Sequence, residues 1–180
     1  MKRRTFLIQT AGLAAVPVAG LTGCGRTTSD AKSDLPDAVW RTLAAVQAHL
    51  FPSETAAPGA AELHTLGYLK SALDVPDFDP AERAAIIHGA EAVETQARTR
   101  TGESFAKLAE PDREAVLRAV EATEPGRRWL AGMLNYLIET LLADPVYGGN
   151  PNGIGWRWLA HNPGFPRPPA GKSWFLLKSV

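Results

Sequence analysis

The sequence predicts an all-α fold: a small helical domain followed by an extended carboxy-terminal arm rich in Gly, Pro and Trp. Three observations carry this expectation. Apolar residues recur every three or four positions through most of the chain. Prolines stand where helices can begin, and no segment before Pro145 alternates at period two as a half-buried strand would. No internal repeat of fixed period is present.

The elements follow in order. Pro36 suits the first position of a helix whose stripe is Val39, Leu43, Val46 and Leu50, closed by Pro52. A second helix is expected from near Gly59 to Leu73, burying Leu66, Leu69 and Leu73. The third has the clearest start: Asp79 as cap, Pro80 at the first position and Glu82 three residues after the cap. Its buried face is Ile86, Ala90, Val93 and Ala97, and Gly102 marks its end. Phe105 and Leu108 belong to a short connector. Pro111 opens a helix carrying Val116, Leu117 and Val120. Pro125 opens the last long one, where Leu130, Leu134, Leu137 and Leu141 form a stripe ending before Pro145.

Beyond that point the composition changes. Tyr147, Gly148, Gly149, Asn150 and the glycines to Gly155 accept turn geometry. Three of the five tryptophans follow, as Trp156, Trp158 and Trp174, interleaved with prolines. A segment so rich in aromatics does not have the composition of a disordered tail. It is expected to be ordered, extended and packed on something. A partner subunit is the occupant favoured here, and the domain's own helices are the alternative.

The amino terminus reads as an export signal: Lys2, Arg3 and Arg4, then a weakly apolar run with no acidic residue to Gly23. That run is broken by Gln9, Thr10 and Pro17, and falls short of the roughly 20 strongly apolar residues a spanning helix needs. Arg3 and Arg4 before Phe6 and Leu7 resemble a twin-arginine signal, which exports proteins already folded; the competing reading is a general secretory signal. Leu21 to Cys24 resembles a lipobox, with Cys24 acylated and holding the protein at a bilayer. Cys24 is the chain's single cysteine, so it has no internal disulfide partner. The expected organisation is a lipoprotein signal over 1–23, a tether over 24–34, the helical domain over 35–145 and the arm over 146–180.

Charge and composition narrow the function. Removing 1–23 takes three of nineteen basic residues and none of nineteen acidic ones, which leaves a mildly acidic chain and no basic excess for nucleic acid. A covalent c-type haem needs a Cys-x-x-Cys-His run. Gly149, Gly153 and Gly155 lack dinucleotide spacing and follow a helix instead of a strand. His49, His64, His88 and His161 show no close metal-ligand spacing, and Ser104 and Ser173 have no base near them in sequence. The residues point away from catalysis, and no cofactor or metal is expected in this chain.

Asp144-Pro145-Val146-Tyr147-Gly148-Gly149-Asn150, then Gly155-Trp156 and Asn162-Pro163-Gly164, resembles the gluconate 2-dehydrogenase subunit 3 family. Leu50-Phe51-Pro52 and Pro58-Gly59-Ala60 are similar in layout, so the resemblance spans nearly the whole mature chain. It implies a small subunit accompanying a large FAD-dependent dehydrogenase of the glucose-methanol-choline type, often with a c-type cytochrome, and carrying the export signal for the complex to the periplasmic side of the envelope. The lipobox is not part of the resemblance. The expected partner interface is Tyr147, Gly148, Gly149, Asn150, Gly155, Trp156, Trp158, Pro163, Gly164 and Phe165. The alternatives from other classes are a stand-alone envelope lipoprotein that binds a small ligand, and a small hydrolase whose site assembles only in space.

Overall fold

In the computed structural model, residues 35–172 are described. The export-signal residues Arg3, Arg4, Phe6 and Leu7, the acylation candidate Cys24, and Ser173, Trp174 and Phe175 lie outside them. The described chain is all-α. Its order is α1 (Asp37–Leu50), α2 (Thr65–Leu73), α3 (Pro80–Thr101), a 3-10 turn (Phe105–Lys107), α4 (Glu110–Glu121), α5 (Glu124–Leu142), two further 3-10 turns (Pro145–Tyr147 and Pro151–Gly153) and α6 (Ile154–Trp158). Among the described residues there is no strand, only an isolated bridge between Glu54 and Ala57.

Local chemistry sets the helix ends. The Asp79 carboxylate accepts from the Ala81 N–H at 2.8 Å with Pro80 at the first position, and Gly102 closes α3 at φ 79°. Thr123 caps α5 by accepting from the Gly126 N–H at 3.1 Å. α2 departs from expectation. It begins at Thr65, because Gly59 to His64 forms turns and His64 takes a left-handed φ of 55° that no helix continues through. The Glu62 carboxylate accepts from Ser53 and from the Gly59 N–H, and a Cβ at Gly59 would sit 2.4 Å from the Ser53 nitrogen. This turn is closed by packing that a helix starting at Gly59 would break.

α1, α3 and α4 pack around the first 3-10 turn, whose Phe105 is fully buried with Leu43, Val46, Val93 and Val116. α5 crosses α3 closely: a Cβ on Gly89 would lie 2.1 Å from the Trp129 indole, whose Nε1 donates to the Ile86 carbonyl at 3.2 Å. Leu69, Leu73 and Met133 join the same core. One position of the expected α5 stripe is corrected. Leu130, Leu137 and Leu141 are buried, but Leu134 is 44 % exposed, because the helix turns Trp129, Met133, Tyr136 and Thr140 inward instead.

Candidate partner-docking surface

The Gly/Pro/Trp-rich arm is more folded over its first half than an extended segment. α5 ends with carbonyls that no further helical turn can satisfy, and Asn150 reaches back to take them. Its backbone sits in the left-handed region at φ 49°, and its side chain is fully buried. Nδ2 donates to the Ala143 carbonyl at 2.9 Å and the Leu141 carbonyl at 3.3 Å, Oδ1 accepts from the Gly155 N–H at 2.7 Å, and its own N–H donates to the Leu63 carbonyl at 2.8 Å.

The neighbouring glycines are needed for close approach. A Cβ at Gly155 would meet the Leu141 carbonyl oxygen at 2.6 Å, and one at Gly149 the Thr140 methyl at 2.6 Å. The Gly148-Gly149-Asn150 block is thus a latch that ties the arm to α5 and α2. Trp156 completes it: the indole is 8 % exposed, and its Nε1 donates to the Leu142 carbonyl at 2.8 Å.

Arg167 returns over this latch, its guanidinium 4.9 Å from the Trp156 ring centroid and its Nε 2.8 Å from Asp144 Oδ2. Partial burial alone would push the Asp144 carboxyl up; the Arg167 hydrogen bond, the Val146 N–H and the Arg167 charge outweigh it and hold it below the usual carboxylate range.

Of the ten residues expected at the interface, Gly149, Asn150, Gly155 and Trp156 are therefore interior to this chain's own fold. Tyr147 is half-buried at the edge of a groove. Gly148, Trp158, Pro163, Gly164 and Phe165 are exposed, with Trp158 edge-on to Phe51 at 6.0 Å and Phe165 89 % exposed.

Leu134, Ile138 and Leu142 are exposed as well, one above the next on the outer face of α5, and so is Leu159 after α6. Together with Trp158 and Phe165 they are the large apolar side chains that stand exposed among the described residues. All six lie from α5 onward. Sequence reasoning passed over the α5 members although a signal was there: Trp129, Leu130, Met133, Leu134, Leu137, Ile138 and Leu142 cover well over half of the helix circumference, more than one buried face can use.

On another flank of α5 runs a trough in two parts, which Leu134, Ile138 and Leu142 do not line. One, about 650 Å³, lies between α3 and α5 over Trp129 and Met133. The other, about 580 Å³, lies between α2 and α5 and is lined by Tyr68, Tyr136 and Tyr147 with Asp77, Glu82 and Glu139. They meet at Glu82, Gly132 and Tyr136. The Tyr68 hydroxyl donates to Glu139 at 3.2 Å and the Tyr136 hydroxyl to Glu82 at 2.7 Å. Burial, and then the neighbouring carboxylates, push the Tyr68 phenol up to about 12 and raise Tyr136 as well, so both remain protonated donors.

Among the described residues, no group of three His, Cys, Asp or Glu side chains could hold a metal ion, and no helix is long and apolar enough to cross a membrane. His49 pairs with Glu114 at 2.8 Å and His88 with Glu91 at 3.2 Å.

Comparison with known proteins places these features. No curated protein and no solved structure matches the chain. The family model described as gluconate 2-dehydrogenase subunit 3 matches residues 37–164, and the chain belongs to that family.

Proposed function

We propose that this member of the gluconate 2-dehydrogenase subunit 3 family is a non-catalytic accessory subunit, which docks on a large FAD-dependent dehydrogenase and carries it through the twin-arginine route to the periplasmic face of the envelope. The observation that carries the docking reading is the apolar ridge. Leu134, Ile138 and Leu142 leave the outer face of α5 apolar, with Trp158, Leu159 and Phe165 exposed further along the chain, and exposed apolar clusters like that on α5 mark interaction sites. A family described as a dehydrogenase subunit supports another subunit of such a complex as the occupant.

The export role rests on Arg3 and Arg4 before Phe6 and Leu7, and the anchor on Cys24. A chain with no visible cofactor site gains little from folding before export, whereas a flavin-loaded partner requires it. FAD, and where present a c-type cytochrome, belong to the partners in this reading. Changing Arg3 and Arg4 together to Lys keeps the charge but loses the guanidinium pair. Dehydrogenase activity and the flavoprotein are then expected in the cytoplasm, and normal periplasmic activity would refute the export role.

A further inference from the structure

We propose that the trough along α5 is a receptor for a segment of the flavoprotein subunit that bears apolar side chains at one end and a lysine or arginine at the other. This rests on the accessory-subunit reading and adds which chemistry the partner must present.

The trough is held open by a residue that packing does not require. Gly132 sits in the interior of α5, where glycine lowers helix stability relative to alanine. Other tight glycines here have evident reasons, Gly89 under the Trp129 ring and Gly126 against the Val120 carbonyl. At Gly132 an added Cβ would meet nothing within 4 Å. The space above it is where the two halves of the trough join. A side chain there would fill the trough, and glycine leaves it free.

The two halves differ in chemistry, and the difference specifies the occupant. Over Trp129 and Met133 the walls are Ala85, Gly89 and Ala92, and the polar rim residues have partners outside the trough: Arg128 lies 3.5 Å from Glu124, and His88 is hydrogen-bonded to Glu91. That half suits apolar side chains. The α2 half carries Asp77, Asp79, Glu82 and Glu139 among three tyrosines, and none of its lining residues is a lysine, arginine or histidine. The nearby Arg83 stands over Phe78 and donates to the Leu73 carbonyl, so it forms none of the ion pairs of these carboxylates. Tyr68 and Tyr136 orient two of the carboxylates from the wall. Aromatic faces beside carboxylates attract a cation twice, through the ring quadrupole and through charge. A basic side chain fits here, and an acidic one is repelled.

The test uses the tagged full chain co-produced with its flavoprotein and captured from membranes, with flavin absorbance per mole of tagged chain as the readout. Gly132→Trp fills the trough, Gly132→Ala leaves it open, and Asp77→Lys with Glu139→Lys reverses the charge of its acidic half. Gly132→Trp and the charge reversal are each expected to retain at least about tenfold less flavin with thermal midpoints near wild type, and Gly132→Ala to retain as much as wild type. A photo-crosslinking side chain at position 132 is expected to capture a flavoprotein peptide containing lysine or arginine. Because Asp77 and Glu139 are exposed, the charge reversal decides the matter alone if Gly132→Trp does not fold. Wild-type flavin retention in the charge reversal, or a crosslink to a second copy of this chain, overturns the inference and leaves the accessory reading standing. Capture of no flavin by the wild-type chain overturns both.

Discussion

The two longest helices present opposite faces to water. α3, 22 residues, shows His88, Glu91 and Arg98 on its outer side and keeps Ile86, Ala90, Val93 and Ala97 inside. α5, 19 residues, is as well anchored inside, by Trp129, Met133 and Leu137, but outside it shows Leu134, Ile138 and Leu142. Helix formation explains neither outer face, since both helices are capped and both bury a full stripe. The outer face of α3 is finished against solvent. That of α5 resembles a helix with one neighbour missing, and the arm that follows extends the same apolar character through Trp158, Leu159 and Phe165.

The largest effect should come from breaking that contrast directly. Leu134→Glu with Ile138→Glu gives α5 an outer face like that of α3. Truncating one interface anchor can cost about 2 kcal/mol or more, so the pair should lower affinity for the flavoprotein by about a thousandfold. Both side chains are already half in water, so the thermal midpoint of the isolated subunit should stay within about 2 °C. Titration calorimetry and a melting curve on one preparation check both halves. Unchanged affinity would show that the α5 ridge is not where the partner binds.

The next effect separates two tryptophans that the sequence presents as equals. Trp156 is buried and donates to the α5 terminus, so Trp156→Ala should cost about 3 kcal/mol of folding stability, with a matching fall in midpoint. Trp158 is 42 % exposed and touches Phe51 by its edge, so Trp158→Ala should leave the midpoint within about 2 °C and weaken partner binding roughly tenfold or more. The reverse pattern, with Trp158 stabilising the fold and Trp156 dispensable to it, would mean the arm is latched the other way round.

These contrasts also show what could be read from sequence. The starts of α3, α4 and α5 were legible because the Asp79 cap and Pro80, Pro111 and Pro125 act on the backbone within a few residues of themselves, although the Thr123 cap of α5 was not read. The start of α2 was not, because His64 is held left-handed by a turn that Gly59 and Glu62 close through space. The phase of α5 was partly legible. A stripe through Leu130, Leu134, Leu137 and Leu141 is rotated by about 60° from the buried face, since leucine spacing alone cannot register that Trp129 must stack on Gly89. The arm was recognised as ordered and aromatic, but α6 and the Asn150 latch were missed, because Asn150 spends its hydrogen bonds on carbonyls seven and nine residues back. Of the surface, Trp158 and Phe165 were anticipated, whereas the exposed α5 ridge and the Gly132 trough depend on which side of the helix the core takes.

The smallest expected effect tests what holds the far end of the arm against Asp144 and Trp156. Past Trp158 the described chain carries no helix, and the Arg167 to Asp144 pair, with Arg167 over Trp156, brings it back to α5. The Asp144 carboxyl is held below its usual range in the fold, so it binds its proton more readily in the unfolded chain. The sign follows: the contribution to stability is fully present above the unfolded value of about 3.9 and is lost as pH falls through the lower folded one. Because Arg167 is half in water, the effect is small. Asp144→Asn should lower the midpoint by about 2 °C at most at pH 7, and that gap from wild type should persist to about pH 5 and close only below about pH 4. Melting curves of the two proteins across that range provide the check. A gap that closed near pH 6 instead would assign the effect to a group other than Asp144 and leave the arm held by the Trp156 stack alone.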